Sequence, residues 1–267
     1  MSTHPTIYDM HIHTAFSPDS STPLEAYAQA AEELSIHIGF LDHFELNLLD
    51  RPDYLNFQTL PQLCEAFDLV HQQYPQTSLG LEVDFYSDSQ SVVSEFCDDY
   101  RKEFHYLIGT VHTVDGLAVS IKEEMDVLVN RFGLSTVVQR YFEEVKGAIQ
   151  SGLFNGIAHI DGVMRFVPLY PSNEELHEFW QQRTLELGRL CQKYNVPIEI
   201  NLRGKNHPWG QMHPSQSLID KLVLSGAQFY VGSDSHSLQD FKDSVPQVKQ
   251  LHEYLREHGG LTLPVSL

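Results

Sequence analysis

The chain has 267 residues, of which 42% are hydrophobic and 20% charged, a balance that supports a large buried core and excludes an intrinsically disordered chain. Its 36 acidic and 17 basic residues give a formal charge of -19, which repels polyanions and argues against a nucleic-acid or anionic-membrane partner. Cys64, Cys97 and Cys191 are too scattered for a disulfide framework or a zinc ribbon, and with no leader or membrane-length apolar run evident, the expectation is one cytoplasmic domain over 1–267.

The first apolar run, Ile7 to His11, reads as a buried strand. Because residues i and i+2 of a strand share a face, His11 and His13 can reach one cation together. A polar loop containing Asp19 follows. Thr22-Pro23-Leu24-Glu25 then has the form of a capping box with proline at the first helical position, and predicts a helix to about Leu34. Ile36 to Leu41 is the second strand and ends at Asp42-His43. A helix over Leu60 to Tyr74 leads to the strand Leu79 to Val83, which carries Glu82, and a helix over Val92 to Tyr100 leads to the strand Tyr106 to His112. Helical periodicity from Ser135 to Gln150, with Gly152 placed to stop it, precedes the strand Phe154 to Ala158 and then His159. Ser172-Asn173-Glu174-Glu175 is a second capping box, opening a long helix to about Tyr194. Val196 to Asn201 is the sixth strand, and a helix over Ser217 to Leu224 follows. The seventh strand, Phe229 to Gly232, ends in Ser233-Asp234-Ser235-His236, and a covering helix runs through Val248, Leu251 and Leu255.

Seven strands alternating with helices imply parallel pairing through crossovers, as an incomplete or distorted α/β barrel, with an open doubly wound sheet as the alternative. The informative fact is positional. His11, His13, His43, Glu82, His112, His159, Asp234 and His236 all fall at or just past predicted strand ends, which share one rim in a parallel barrel. With Asp19 they make about nine ligand-type side chains, more than the four of one tetrahedral zinc, so a cluster of two or three ions is expected. Imidazole and carboxylate without thiolate suit Zn, Mn or Fe. Of the fifteen histidines, His4, His37, His71, His105, His177, His207, His213, His252 and His258 read as structural or surface residues.

Taken in order, His11-x-His13 with Asp19, Asp42-His43, Gly80-Leu81-Glu82-Val83-Asp84, Ile108-Gly109-Thr110-Val111-His112, His159 and Gly232-Ser233-Asp234-Ser235-His236 resemble the ordered motifs of the polymerase-and-histidinol-phosphatase (PHP) superfamily. The resemblance spans nearly the whole chain and implies a distorted (β/α)7 barrel with three divalent ions at its C-terminal rim. It implies one ion on His11, His13, Glu82 and Asp234, with Glu82 bridging to a second on His112 and His159. Asp19, His43 and His236 would hold the third, Asp19 standing where some relatives have histidine. Glu82, Asp234 and His236 are counted as catalytic on this basis.

Such a cluster suits hydrolysis of a phosphate ester by in-line attack of a metal-bridging hydroxide. Arg165 and Arg203, in strand-end loops, are candidates to bind the phosphate, because arginine suits paired donation to its oxygens. His159-x-Asp161-x-x-x-Arg165-Phe166 resembles the corresponding stretch of the stand-alone histidinol-phosphate phosphatases, as do the Gly80 to Tyr86 and Val111 to Gly116 segments. The implied substrate is therefore L-histidinol phosphate, a small-molecule monoester of histidine biosynthesis. Asp42, Glu45 or Asp161 could receive its cationic or polar groups. The competing readings are a PHP phosphoesterase of broader range, a nuclease, an amidohydrolase and a non-catalytic metal-binding scaffold. No lysine ends a middle strand, where amidohydrolases often carry a bridging ligand, whereas Glu82 does. Oligomeric state has no sequence signal.

Overall fold

The computed structural model describes residues 6–172 and 174–263. Its elements run β1 (Tyr8–Ile12), α1 (Leu24–Leu34), β2 (His37–Phe44), α2 (Leu60–Gln73), β3 (Thr77–Asp84), α3 (Gln90–Tyr100) and β4 (Tyr106–Thr110). A small hairpin, β5 (Thr113–Val114) and β6 (Leu117–Ala118), then leads to α4 (Lys122–Phe132), α5 (Leu134–Ser151) and β7 (Gly156–Ile157). The chain continues through α6 (Glu174–Tyr194), β8 (Ile198–Asn201), α7 (Gln216–Leu224), β9 (Phe229–Gly232) and α8 (Leu238–His258).

Seven strands pair in parallel in the order β1-β2-β3-β4-β7-β8-β9. The two outer strands meet at the C-terminal end of β1 and just past that of β9, where Asp234 N donates to His11 O (2.9 Å) and His13 N donates to Ser235 O (3.0 Å). The sheet is thereby nearly closed, as the expected distorted (β/α)7 barrel requires. β3 is buried along its whole length, the signature of a strand covered by the barrel interior on one side and helices on the other.

Two apolar layers hold this arrangement. Met10, Leu41, Tyr106, Ile108, Ala158 and Tyr230 fill the barrel. The Tyr106 ring lies against Gly39 and Gly80, where a Cβ would overlap it, and its hydroxyl donates to Phe40 O (3.2 Å). Outside the sheet, the helices bury residues such as Tyr27 and Ala31 of α1, Val138 and Tyr141 of α5, and Phe241 and Val248 of α8.

Several local expectations are revised. α1 starts at Leu24, with Pro23 in extended geometry at the N-cap and no side-chain cap. Thr22 is therefore not a capping residue; its carbonyl accepts from Ala15 N (2.9 Å) and closes the loop that carries Asp19. The second capping box includes Asn173, which lies outside the described residues. β2 extends to Phe44, so Asp42 and His43 are within a strand, whereas β7 is only two residues long. The hairpin and α4 were not anticipated. The hairpin turns on Asp115-Gly116, both with positive φ (50° and 75°), which is the backbone that two-residue hairpin turns demand.

Candidate metal centre

Parallel register brings the ligand-type residues to one level. His43 on β2 lies opposite Glu82 on β3, while His112, His159 and Asp234 each follow their strand by two residues. His159 and Asp234 both adopt positive φ (22° and 57°), a conformation that non-glycine residues hold only where the surroundings enforce it. Glu82 sits at the centre of the group. His43 Nδ1 lies 2.8 Å and His159 Nε2 2.9 Å from its carboxylate, His112 and His11 3.5 Å, and His13 3.7 Å. His13 also lies 3.3 Å from Asp234 Oδ1, and His236 Nε2 lies 2.8 Å from Asp19 Oδ2, which is 3.8 Å from His43 Nε2.

Burial works against the charge on Glu82, but the imidazoles of His112, His11 and His43 hold it well below the usual carboxylate range. Asp234 is likewise held far down against burial, by His11, His13 and His236. The same crowding divides the histidines. Burial, together with His236 and His43, drives His13 well below an ordinary imidazole, and burial pushes His112 down to about 3. His43 is raised well above the ordinary value despite burial, by Glu82 and Asp19.

The donor set fits divalent metal. Glu82 Oε2 and His43 Nδ1 are both buried and, although 2.8 Å apart, neither has a hydrogen bond of acceptable geometry. His11 Nε2 and His13 Nε2 face each other at 2.9 Å and can share only one proton. Cations on the imidazole lone pairs satisfy such an arrangement. Four sets of atoms lie close enough to hold an ion: His11, His13 and Asp234; Glu82, His112 and His159; His13, Asp19, His43 and His236; and His43, Glu45 and His112. All nine positions singled out in the sequence come together, and Glu45 joins them.

A layer of buried carboxylates and amides orients this group. Glu199 Oε1 lies 2.6 Å from His11 Nδ1, its Oε2 accepts from His159 N (3.0 Å), and Asn201 Nδ2 donates to both Glu199 (3.1 Å) and Asp234 (3.0 Å). Asp42 accepts from Thr14 N, Thr14 Oγ1 and Ser17 Oγ, and Ser17 in turn meets His13 Nδ1 at 3.0 Å. Asp84 accepts from His112 N (2.8 Å). None of these supporting roles was anticipated. Asp42 and Asp161 are fully buried and already engaged, so neither receives substrate groups; Glu45 lines the cavity and can.

Above the group opens a cavity of about 410 Å³. Arg165 and Arg203 both line it, in different states. Among the described residues Arg165 makes no ion pair and its buried Nε has no hydrogen-bond partner, and burial lowers its pKa. Arg203 is partly committed to Asp240 of α8, at 3.2 Å. His207 and His213, read from sequence as structural, also line the cavity. His37, His71, His105, His177, His252 and His258 do not line it, and His4 lies outside the described residues.

A family model described as PHP domain matches residues 9–203. The chain belongs to the PHP domain family. That match runs from β1 to Arg203 and covers the PHP positions up to His159, with Asp234 and His236 beyond it. Among curated proteins, this PHP chain is 25% identical over 252 residues to a probable histidinol-phosphatase of Deinococcus radiodurans, covering 91% of this chain and 93% of the relative. It is 24% identical over 244 residues to one from Clostridium acetobutylicum, covering 90% and 88%. Among solved structures, a candidate histidinol phosphatase (hisK) from Listeria monocytogenes superposes with a TM-score of 0.80 at 19% identity, over 87% of this chain and 96% of that one. The histidinol phosphate phosphatase of Lactococcus lactis, complexed with zinc, L-histidinol and phosphate, gives 0.72 at 18% identity, over 95% and 94%. No helix among the described residues is long and apolar enough to cross a membrane.

Proposed function

We propose that this PHP chain is a metal-dependent phosphomonoesterase that hydrolyses L-histidinol phosphate to L-histidinol and phosphate, a step of histidine biosynthesis. In this reading residues 1–267 work as one catalytic unit in the cytoplasm, acting on a small molecule and on neither nucleic acid nor membrane. The observation that carries it is a single buried carboxylate, Glu82, with five imidazoles within 3.7 Å, lying beneath a cavity that also presents Arg165, which has no ion pair among the described residues. Relatives along most of the chain named as probable histidinol-phosphatases, and the zinc, histidinol and phosphate in the Lactococcus lactis enzyme, support this choice of substrate.

In this reading there are three divalent ions, Zn, Mn or Fe: His11, His13, Glu82 and Asp234 would hold one, Glu82, His112 and His159 a second, and Asp19, His43 and His236 the third, with His13 and Glu45 in reach. When bound, such ions lower the pKa of water and neutralise the phosphoryl oxygens. The protein's own groups do the rest. Arg165 offers its guanidinium to the phosphate, and Arg203 adds donors not used by Asp240. Glu199 and Asn201 fix the rings of His11 and the carboxylate of Asp234, so that little reorganisation accompanies the reaction. Glu45, on the cavity wall, receives the cationic end of the substrate.

Chelated, metal-free protein tests the reading directly. Phosphate release from L-histidinol phosphate should vanish on metal removal and return on reconstitution with two or more equivalents. Uptake of fewer than two equivalents with no phosphate release from any monoester supports the non-catalytic scaffold instead.

A further inference from the structure

We propose that His213 is the proton donor to the leaving oxygen, held in place by Asp161 and Trp180 as positioning residues. The proposal rests on the phosphomonoesterase reading and assigns the group that completes it. His213 lies outside the metal cluster, in the loop between β8 and α7, and is almost wholly buried. Its Nδ1 meets Asp161 Oδ1 at 2.8 Å, and the other Asp161 oxygen accepts from Trp180 Nε1 at 2.9 Å. The ring stacks on Trp209, which itself packs edge-on to Trp180. Position and orientation are therefore set from two directions.

The opposite nitrogen is the unassigned one. His213 Nε2 has no hydrogen-bond partner among the described residues, and His213 lines the cavity beside Gly204, Arg203 and Arg165. Gly204 makes this possible, since a Cβ there would stand 2.7 Å from that nitrogen. A carboxylate on Nδ1 fixes a proton and the ring orientation there, leaving Nε2 as the nitrogen that can pass its proton to a substrate atom. The neighbouring cavity histidine, His207, is a poor rival because burial, with Arg165 and Arg203, pushes it down to about 4.

The step balances without a further reactant. A water supplies the oxygen that joins phosphorus and releases a proton to solution. The bond from phosphorus to the alcohol oxygen breaks with its electron pair on that oxygen, His213 Nε2 supplies its proton, and His213 is recharged from solvent. Asp161 is the charged group in contact with His213, and His207 interacts with it electrostatically, while Arg165, Arg203 and Asp234 act on His207 in turn.

An alkoxide needs that proton, whereas nitrophenolate leaves without it. For His213→Asn, kcat on L-histidinol phosphate should fall by about 100-fold or more, and kcat on p-nitrophenyl phosphate by no more than about threefold. Metal content and melting temperature should match wild type. Equal losses on both esters, or the same contrast from Glu45→Gln instead, overturn the proposal. No release from either ester by metal-loaded wild type overturns the phosphatase reading as well. The wild-type pH profile makes the comparison without a substitution: the alkyl ester should show an alkaline loss of kcat that the aryl ester lacks, and a limb common to both overturns the proposal.

Discussion

Glu82 is negatively charged, fully buried and surrounded by imidazoles, and the consequences of removing that charge follow from its position. In Glu82→Gln the imidazoles lose their common counter-charge, and metal affinity should fall by more than the roughly 10–100-fold typical of losing a residue that only supports a ligand. Glu199→Gln, which loosens His11 without removing a ligand, should lie within that range; competitive chelator titration separates the two. Arg165→Ala should lower kcat/KM on a phosphomonoester by about 10–100-fold, the scale of charge-assisted hydrogen bonds, and Arg203→Ala by less because Asp240 already engages it. Equal effects would contradict the difference drawn between them. Protons also compete with the cations. Burial opposes the charge on His11 and His43, but Glu199 and Glu82 hold the first, and Glu82 and Asp19 the second, well above the ordinary value without metal. Metal uptake therefore expels protons, and affinity should rise with pH through neutrality. Proton release on adding Zn to weakly buffered, metal-free protein checks the sign.

At the scale of elements, the strand-helix alternation was legible because each strand is an apolar run and each ligand stands at or near its end. Local signals misled where tertiary contacts took over. The Thr22 capping pattern fails because the helix begins at Leu24, which puts Pro23, a residue with no side-chain acceptor, at the N-cap, and the hairpin after β4 was missed although Asp115-Gly116 carries its turn signal. The supporting carboxylates were readable in principle. Asp42, Asp84 and Glu199 interrupt apolar strands, and a carboxylate there needs a partner that only the closed barrel reveals. The glycines facing Tyr106 lead to a packing prediction: Gly80→Val should cost about 1–3 kcal/mol by overpacking, read as a fall in melting temperature with little change in the metal affinity of the folded protein.

Across the whole molecule, folding and metal binding are linked, since scattered ligands converge only when the barrel closes. Saturating metal should raise the melting temperature and chelator should lower it, by mass action. A separate pH dependence comes from α8, where His252 Nε2 lies 2.7 Å from Tyr8 O and burial pushes the ring down to about 4. The unfolded chain takes up this proton first, so stability is complete above about pH 6.5 and declines as pH falls toward about 4, by at most about 3 kcal/mol. Comparing His252→Gln with wild type in chelator, where the variant should show the shallower decline, isolates that contribution. The central claim concerns substrate. It is tested most directly by kcat/KM for phosphate release from L-histidinol phosphate beside a panel of other phosphomonoesters, using metal-reconstituted protein. The account predicts that L-histidinol phosphate exceeds the others by a large factor; a comparable preference for a different ester would contradict it.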